Sequence, residues 1–243
     1  MALWRRLRYE LRQCLELLLP PACLLCGERL PGGTPAVEFC PACRDGLPRP
    51  APARCPICAI AYRIPNPGSH HCESCLRQPP PFTRVYSVGP YAGTLQEAIQ
   101  HFKYRGQLPL ERPLGILLTE AVRTGGETLP DLVIPVPLHR RRLRERGYNQ
   151  ALQLSRQLGR NLGVPVAPRL LQRVRETAPQ QGLDAVSRRS NLKGAFAVAG
   201  VVAGRRLLLV DDVMTTGATV RACAGILRQA GAASVEVAVL GRA

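Results

Sequence analysis

Lysine is almost missing from this chain. Of its 33 basic residues only Lys103 and Lys193 are lysines, and acidic residues number just 17. Aromatics are also scarce, at 5% with a single tryptophan. Proteins that hold single-stranded nucleic acid usually interleave aromatics with charge, so this shortage tempers any reading as a pure base-stacking surface. No apolar run reaches the length of about 18 residues that a membrane helix needs, so no membrane span is expected. No G-x-x-x-x-G-K-[ST] occurs, which argues against a triphosphate P-loop, and no helix-turn-helix pattern is visible. After residue 75 only one cysteine remains, Cys223, which falls in an apolar helical pattern and reads as a core filler.

What is present falls into two halves. The 243 residues carry a formal charge of +16 and are 46% hydrophobic, enough for one sizeable core plus a small module. The excess of arginine suits phosphate-bearing partners or nucleic acid, although a solvated arginine-rich surface would give the same total. At the N-terminus "MALWRRLRYELRQCLELLLPP" has basic residues ahead of an apolar stretch, but Glu16 interrupts it and two prolines end it. Residues 1–22 are therefore expected as an amphipathic helix packing Leu11, Leu15 and Leu18, not as an export signal, and the chain is expected in the cytoplasm.

Eight cysteines form four C-x-x-C pairs: Cys23 and Cys26, Cys40 and Cys43, Cys55 and Cys58, Cys72 and Cys75. Thirteen residues lie between the first two pairs and thirteen between the last two, so 23–75 is a twofold repeat. Two thiolates two residues apart on a tight turn can reach one ion, and a second such turn completes a tetrahedral site of four sulfurs. Two structural zinc ions are expected. The repeat favours sequential sites, with a crossed arrangement as the alternative. An all-thiolate site has no open position, so catalysis at zinc is not expected. His70 and His71 read as exposed loop residues, and Cys14 fits neither unit. The module resembles a double zinc ribbon, and 76–84, "LRQPPPFTR", reads as a proline-stiffened linker.

From residue 85 to 243 the pattern alternates. "RVYSV", "DLVIPVP", "RLLLVDD" and "SVEVAVL" read as strands. "LQEAIQHFKYRG", "LERPLGILLTEAVRTGG", "GYNQALQLSRQLGRNLG" and "GATVRACAGILRQAG" read as helices. Such alternation predicts an α/β fold with a parallel sheet covered on both faces, and ligands in such sheets bind beyond the carboxyl ends of the strands. That places Asp211 and Asp212 at the site, followed by Thr215, Thr216, Gly217, Ala218 and Thr219. Amide groups at the start of the next helix would cradle a phosphate. The two carboxylates would suit sugar hydroxyls, directly or through a divalent cation. A sugar phosphate is the expected ligand.

"LLLVDDVMTTGAT" resembles the phosphoribosyl pyrophosphate (PRPP) motif of type I phosphoribosyltransferases. Together with the cysteine pairs, "VIPVPLHRRRLRERGYNQA" and "RVRETAPQQGLDAVSRRSNLKGAFAV", it identifies the chain as similar to the ComF family of competence-associated proteins. The resemblance implies a type I phosphoribosyltransferase-like fold binding PRPP with Mg²⁺. It assigns Asp211 and Asp212 to catalysis or PRPP binding, and Thr215 to Thr219 with Pro137 and Leu138 to PRPP and its pyrophosphate. Arg140, Arg144, Arg146, Arg173, Gln180 and Arg188 would contact pyrophosphate or nucleic acid. Residues 173–191 look like the family's mobile loop, which could close over ligand. Tyr148 stands where the family's RGFNQ element has phenylalanine, and Asn149 and Gln150 could fix the loop or touch ligand. Purine-salvage relatives carry an aspartate where this chain has Thr215, so the acceptor is open. Three functions follow from the resemblance: PRPP and single-stranded DNA binding in DNA uptake, alongside uptake-machinery proteins; a PRPP-dependent transferase with an unknown acceptor; and, behind these, a PRPP-sensing regulator.

Overall fold

The computed structural model describes residue 4 and residues 20–31, 38–62, 70–126, 128–175, 192 and 194–243. Most of the expected N-terminal amphipathic helix, with Cys14, lies outside the described residues. The cysteine-rich part contributes two short helices, α1 (Pro41–Asp45) and α2 (Glu73–Arg77). The alternating part follows as β1 (Val85–Pro90), α3 (Gly93–Tyr104), α4 (Glu111–Gly125), β2 (Leu132–Pro135), α5 (Arg140–Arg146) and α6 (Gln150–Leu162). It ends with β3 (Leu171–Arg173), β4 (Phe196–Val198), β5 (Arg206–Met214), α7 (Ala218–Gln229) and β6 (Ser234–Arg242).

Four strands form one parallel sheet in the order β1-β6-β5-β2. Its central strands are buried on both faces, which is why β5 reads as an unbroken apolar run. Successive residues still alternate sides. Leu207 and Leu209 face one apolar cluster, with Val235, Val237 and Val239 of β6 and Val220, Cys223 and Leu227 of α7. Leu208 and Val210 face the other, with Leu95, Ile99 and Phe102 of α3, Leu114 and Leu118 of α4, and Leu154 and Leu158 of α6. Truncating any of these fully enclosed leucines to alanine removes about 2–5 kcal/mol, the transfer and cavity costs together.

The two cysteine units sit on opposite faces of this sheet. Cys23, Phe39 and Cys40 belong to the α3/α4/α6 cluster, while Cys55, Cys58 and Cys75 belong to the α7 cluster. The chain between them crosses the edge at β1. Gly89 permits that crossing, because a Cβ there would lie 2.3 Å from the Pro48 carbonyl oxygen. The proline-rich stretch after α2 is tied to the sheet as well. Phe82 is buried, and the Thr83 amide donates to the Val235 carbonyl at 2.9 Å.

All eight strands and helices expected after residue 85 are present. One helix and two short strands go beyond expectation. The arginine run is a helix, α5, and β3 pairs antiparallel with β4 as a separate two-stranded ribbon. Among the described residues no helix is long and apolar enough to cross a membrane.

Candidate functional site

β5 carries Asp211 and Asp212 past its last fully buried residue, Val210, to the carboxyl end of the sheet. The Asp212 amide donates to Asp211 Oδ1 at 2.9 Å, which fixes the first carboxylate against the strand. Asp212 Oδ1 lies 3.0 Å from Lys103 Nζ, and both side chains are only 13% exposed. Lys103 comes from the last turn of α3. Burial works against its charge, but the facing Asp212 and Asp211 carboxylates outweigh it and raise its pKa. Removing one member of so enclosed a pair typically costs about 3–5 kcal/mol, because the survivor stays buried and uncompensated. Burial and the neighbouring Asp212 charge push the Asp211 carboxyl up to about 7, against the opposing pull of the Asp212 amide, Lys103 and Arg146.

The loop beyond β5 holds Thr215 and Thr216 at the surface and turns at Gly217, whose φ of 75° is in the left-handed region. Gly217 is the N-cap of α7 and brings no side-chain acceptor. Thr216 Oγ1 accepts from the Ala218 amide at 3.4 Å. The first-turn amides of a helix lack intrahelical partners, so a glycine cap keeps this corner uncluttered on the side where an anion would dock.

The neighbouring wall comes from β2. The Val136 amide donates to the Val210 carbonyl at 2.8 Å, so Pro137 and Leu138 leave β2 beside the point where β5 reaches Asp211. Asn149 settles into a structural role. Its Oδ1 caps α6 through the Leu152 amide at 3.4 Å, and its Nδ2 donates to the Val136 carbonyl at 3.1 Å. Gln150 is buried and accepts from Arg146 Nη1 at 3.3 Å. Arg146 also lies over the Tyr104 ring, 5.1 Å from its centroid, and the Tyr148 hydroxyl donates to the Phe102 carbonyl. Tyr148 thus ties the RGYNQ element to α3, a bond that a phenylalanine could not make.

Arg173, at the end of β3, stacks on Phe196 with 5.6 Å between guanidinium and ring centre. Burial and the charge of Arg142 lower its pKa, and the Asp211 carboxylate pulls the other way. Three cations therefore act on Asp211: Lys103, Arg146 and Arg173. Arg144 is exposed on α5, as is Arg141, which pairs with Glu145 at 3.1 Å. Gln180, Arg188 and the side chain of Arg140 lie outside the described residues, as does most of the 173–191 loop.

The structure thus brings Arg146 and Arg173 within electrostatic reach of Asp211 beside Asp212, with the Thr215–Thr219 loop following the end of β5 and Pro137 and Leu138 following the end of its neighbour β2. Sequence reasoning missed Lys103. A signal was available: in a chain that uses arginine almost throughout, a lysine at the end of a helix marks a place where a compact ammonium fits and a planar guanidinium does not.

The cysteines resolve the pairing question in favour of sequential sites. Sulfurs of Cys23, Cys26, Cys40 and Cys43 lie within 4.8 Å of one another, and so do those of Cys55, Cys58, Cys72 and Cys75. Zn–S bonds of about 2.3 Å in a tetrahedron set sulfurs about 3.8 Å apart. The Cys26–Cys40 and Cys58–Cys72 separations are both 3.6 Å, so the donor sets fit zinc. Burial alone would raise the Cys23 and Cys55 thiols. Amide donors converging on each sulfur overcome it and lower them to about 6 and about 7, favouring the thiolate a metal requires. Among these donors are Leu25 N to Cys23 at 3.5 Å and Cys72 N to Cys55 at 3.4 Å. Cys223 belongs to neither set and is fully buried on the inner face of α7.

Residues 14–77 match the double zinc ribbon domain, and residues 160–242 match the phosphoribosyl transferase domain. Over 182 residues the chain is 42% identical to Competence protein F of Haemophilus influenzae, covering 72% of this chain and 80% of that protein. The chain belongs to the ComF family. It is also 38% identical to the DNA utilization protein YhgH of Escherichia coli O157:H7, over 91% of this chain and 96% of that one. Against Competence protein ComFC of Bacillus subtilis the identity is 28%, over 83% of each. A pair of four-thiol centres and a parallel sheet of the phosphoribosyltransferase kind are thus the architecture of this ComF-family chain.

Proposed function

We propose that this ComF-family chain binds PRPP at the corner between β5 and α7 and uses its arginine surface to hold single-stranded DNA during DNA uptake. The observation that carries the first part is the paired carboxylate at the end of β5, followed at once by a glycine-capped helix start. The acids suit the ribose hydroxyls, and the capped turn suits the 5-phosphate. In this reading Pro137 and Leu138, with the cations Arg146 and Arg173 that act on Asp211, would meet the pyrophosphate. Two carboxylates are hard oxygen donors of the kind Mg²⁺ takes, and Asp211 and Asp212 would share that ion with the ligand's own phosphates. The names of the relatives, competence and DNA utilization proteins, support the role in DNA uptake, exercised in the cytoplasm in company with uptake-machinery proteins.

Calorimetric titration of PRPP with Mg²⁺ tests the pocket. Wild type is expected to bind, and Asp212→Ala is expected to weaken binding at least about tenfold, since it removes a hydroxyl acceptor and the partner of Lys103; one charged hydrogen bond alone accounts for about 1.5–3 kcal/mol. Equal affinities would rule out this corner.

The nucleic-acid part has its own measurement. Binding of a fluorescent oligothymidine is expected to weaken steeply with salt, with a slope of about −0.7 per phosphate contacted. Replacing both Arg141 and Arg144 on the exposed side of α5 is expected to flatten that slope by about 1.4. An unchanged slope would remove α5 from the DNA surface.

A further inference from the structure

The last residue of β6, Arg242, joins the second cysteine site to the loop after β5. Its backbone is held in register opposite Met214, and its carbonyl accepts from the Tyr91 amide at 3.0 Å. From that fixed root its Nε donates to the Cys58 carbonyl at 2.9 Å. Its Nη1 donates to the Met214 carbonyl at 3.0 Å and to the Thr215 and Ala243 carbonyls, and the Met214 carbonyl also accepts from the Ala243 amide at 3.0 Å. One planar cation therefore spans a zinc knuckle, the last carbonyl of β5 and the first carbonyl of the threonine-glycine loop.

The geometry has a directional consequence. In a planar trans peptide the carbonyl of one residue and the amide of the next point in opposite directions. The strand ladder, continued by the Ala243 amide, already orients the Met214 carbonyl, so the hold that is Arg242's own is on the Thr215 carbonyl, and turning that carbonyl toward Arg242 turns the Thr216 amide away from it. Arginine suits this task because its donors are fixed in one plane, so one side chain serves acceptors on different sides. A second strap runs parallel to the first. Arg221 of α7 donates to the Gln78 carbonyl at 3.0 Å, just past α2, and lies 5.9 Å from the centre of the Phe82 ring. Beneath both straps Cys55, Cys58 and Cys75 share one apolar cluster with Met214, Ala218 and Val220. The first cysteine site packs on the opposite face of the sheet, with α3, α4 and α6.

We propose that Arg242 is a positioning residue through which the second cysteine site sets the orientation of the phosphate-binding loop. The two cysteine sites are then unequal: one braces the ligand pocket, and the other braces the far face of the sheet. The proposal rests on the reading of the loop as a phosphate site only for its effect on PRPP, not for the link itself.

Full-length, zinc-loaded Arg242→Gln tests it. Hydrogen exchange of the Thr215–Val220 amides is expected to quicken about tenfold or more, and PRPP affinity is expected to fall about tenfold. Arg242→Lys, which keeps the charge but cannot span both partners from one nitrogen, is expected to fall between wild type and Arg242→Gln. The link also predicts reciprocity: PRPP is expected to slow the release of one of the two zinc ions to a chelator in wild type and to leave both release rates unchanged in Arg242→Gln. Loss of a single zinc equivalent in Arg242→Gln would likewise support the link. Unchanged exchange of the loop amides with two zinc ions retained would overturn it. If wild type itself failed to bind PRPP, the assignment of the pocket would fall, and the exchange measurement would still decide the role of Arg242.

Discussion

Cys55→Ser is expected to release zinc and to unfold much of the sheet with it, not merely to loosen a surface module. Cys55 is 1% exposed and shares its cluster with Val237, Leu209 and Cys223 at the centre of the fold. Metal binding at a structural all-thiolate zinc site contributes about 10–16 kcal/mol, whereas a whole domain is stable by about 5–15 kcal/mol. Cys58 and Cys75, buried in the same cluster with Cys72 packed against it, would lose the ion that holds them together, and the sheet's own core would loosen with them. Element analysis of the purified variant should give one zinc per chain or fewer, and its thermal midpoint should drop by at least about 15 °C, taking 2–4 °C per kcal/mol for a domain of this size. Two zinc ions per chain with an unchanged midpoint would show that Cys55 is not needed to hold the second ion.

This coupling of module to sheet was not visible in the sequence, although both parts were. The cysteine repeat is legible because its constraint is local: two residues set each knuckle, and equal spacing sets each unit. β5 is legible because a strand buried on both faces must be apolar at every position. What stayed hidden depends on residues distant in sequence. Lys103 and Asp212 meet only because α3 packs across the sheet, and Arg242 reaches Cys58 from the opposite end of the chain. Pattern reading also failed on α5. An arginine run places like charges three and four residues apart, which disfavours an isolated helix. The ends compensate: His139 Nδ1 accepts from the Arg141 amide at 3.3 Å, and Gly147 closes the last turn at φ 76°. The β3–β4 ribbon escaped notice because strands of three residues are too short to show alternation. Asn149 and Gln150 were recognised as special, and the structure assigns them to holding the loop and Arg146.

PRPP affinity is expected to rise as pH rises through about 7, with uptake of ligand releasing about half a proton at pH 7 and approaching one proton below it. The cause is Asp211, whose carboxyl is pushed up to about 7 by burial and by Asp212. A ribose hydroxyl or a divalent cation prefers the ionised acid, so binding draws the proton off. Stability should move the other way. Between the ordinary carboxylate range near pH 4 and about 7, the folded chain keeps a proton that the unfolded chain has already lost, so stability declines as pH rises through that window. Asp211→Asn should remove both slopes, leaving the titration of the ligand's own phosphates as the residual. Lys103→Met should act oppositely on the midpoint. Without the ammonium that favours ionised Asp211, the affinity rise should shift above pH 7, and the protein should lose about 3–5 kcal/mol from the buried, unpaired Asp212. Calorimetry in buffers of different ionisation enthalpy counts the released proton directly. A proton count near zero in wild type at pH 7, or one that Asp211→Asn leaves unchanged, would show that Asp211 is already ionised before ligand arrives.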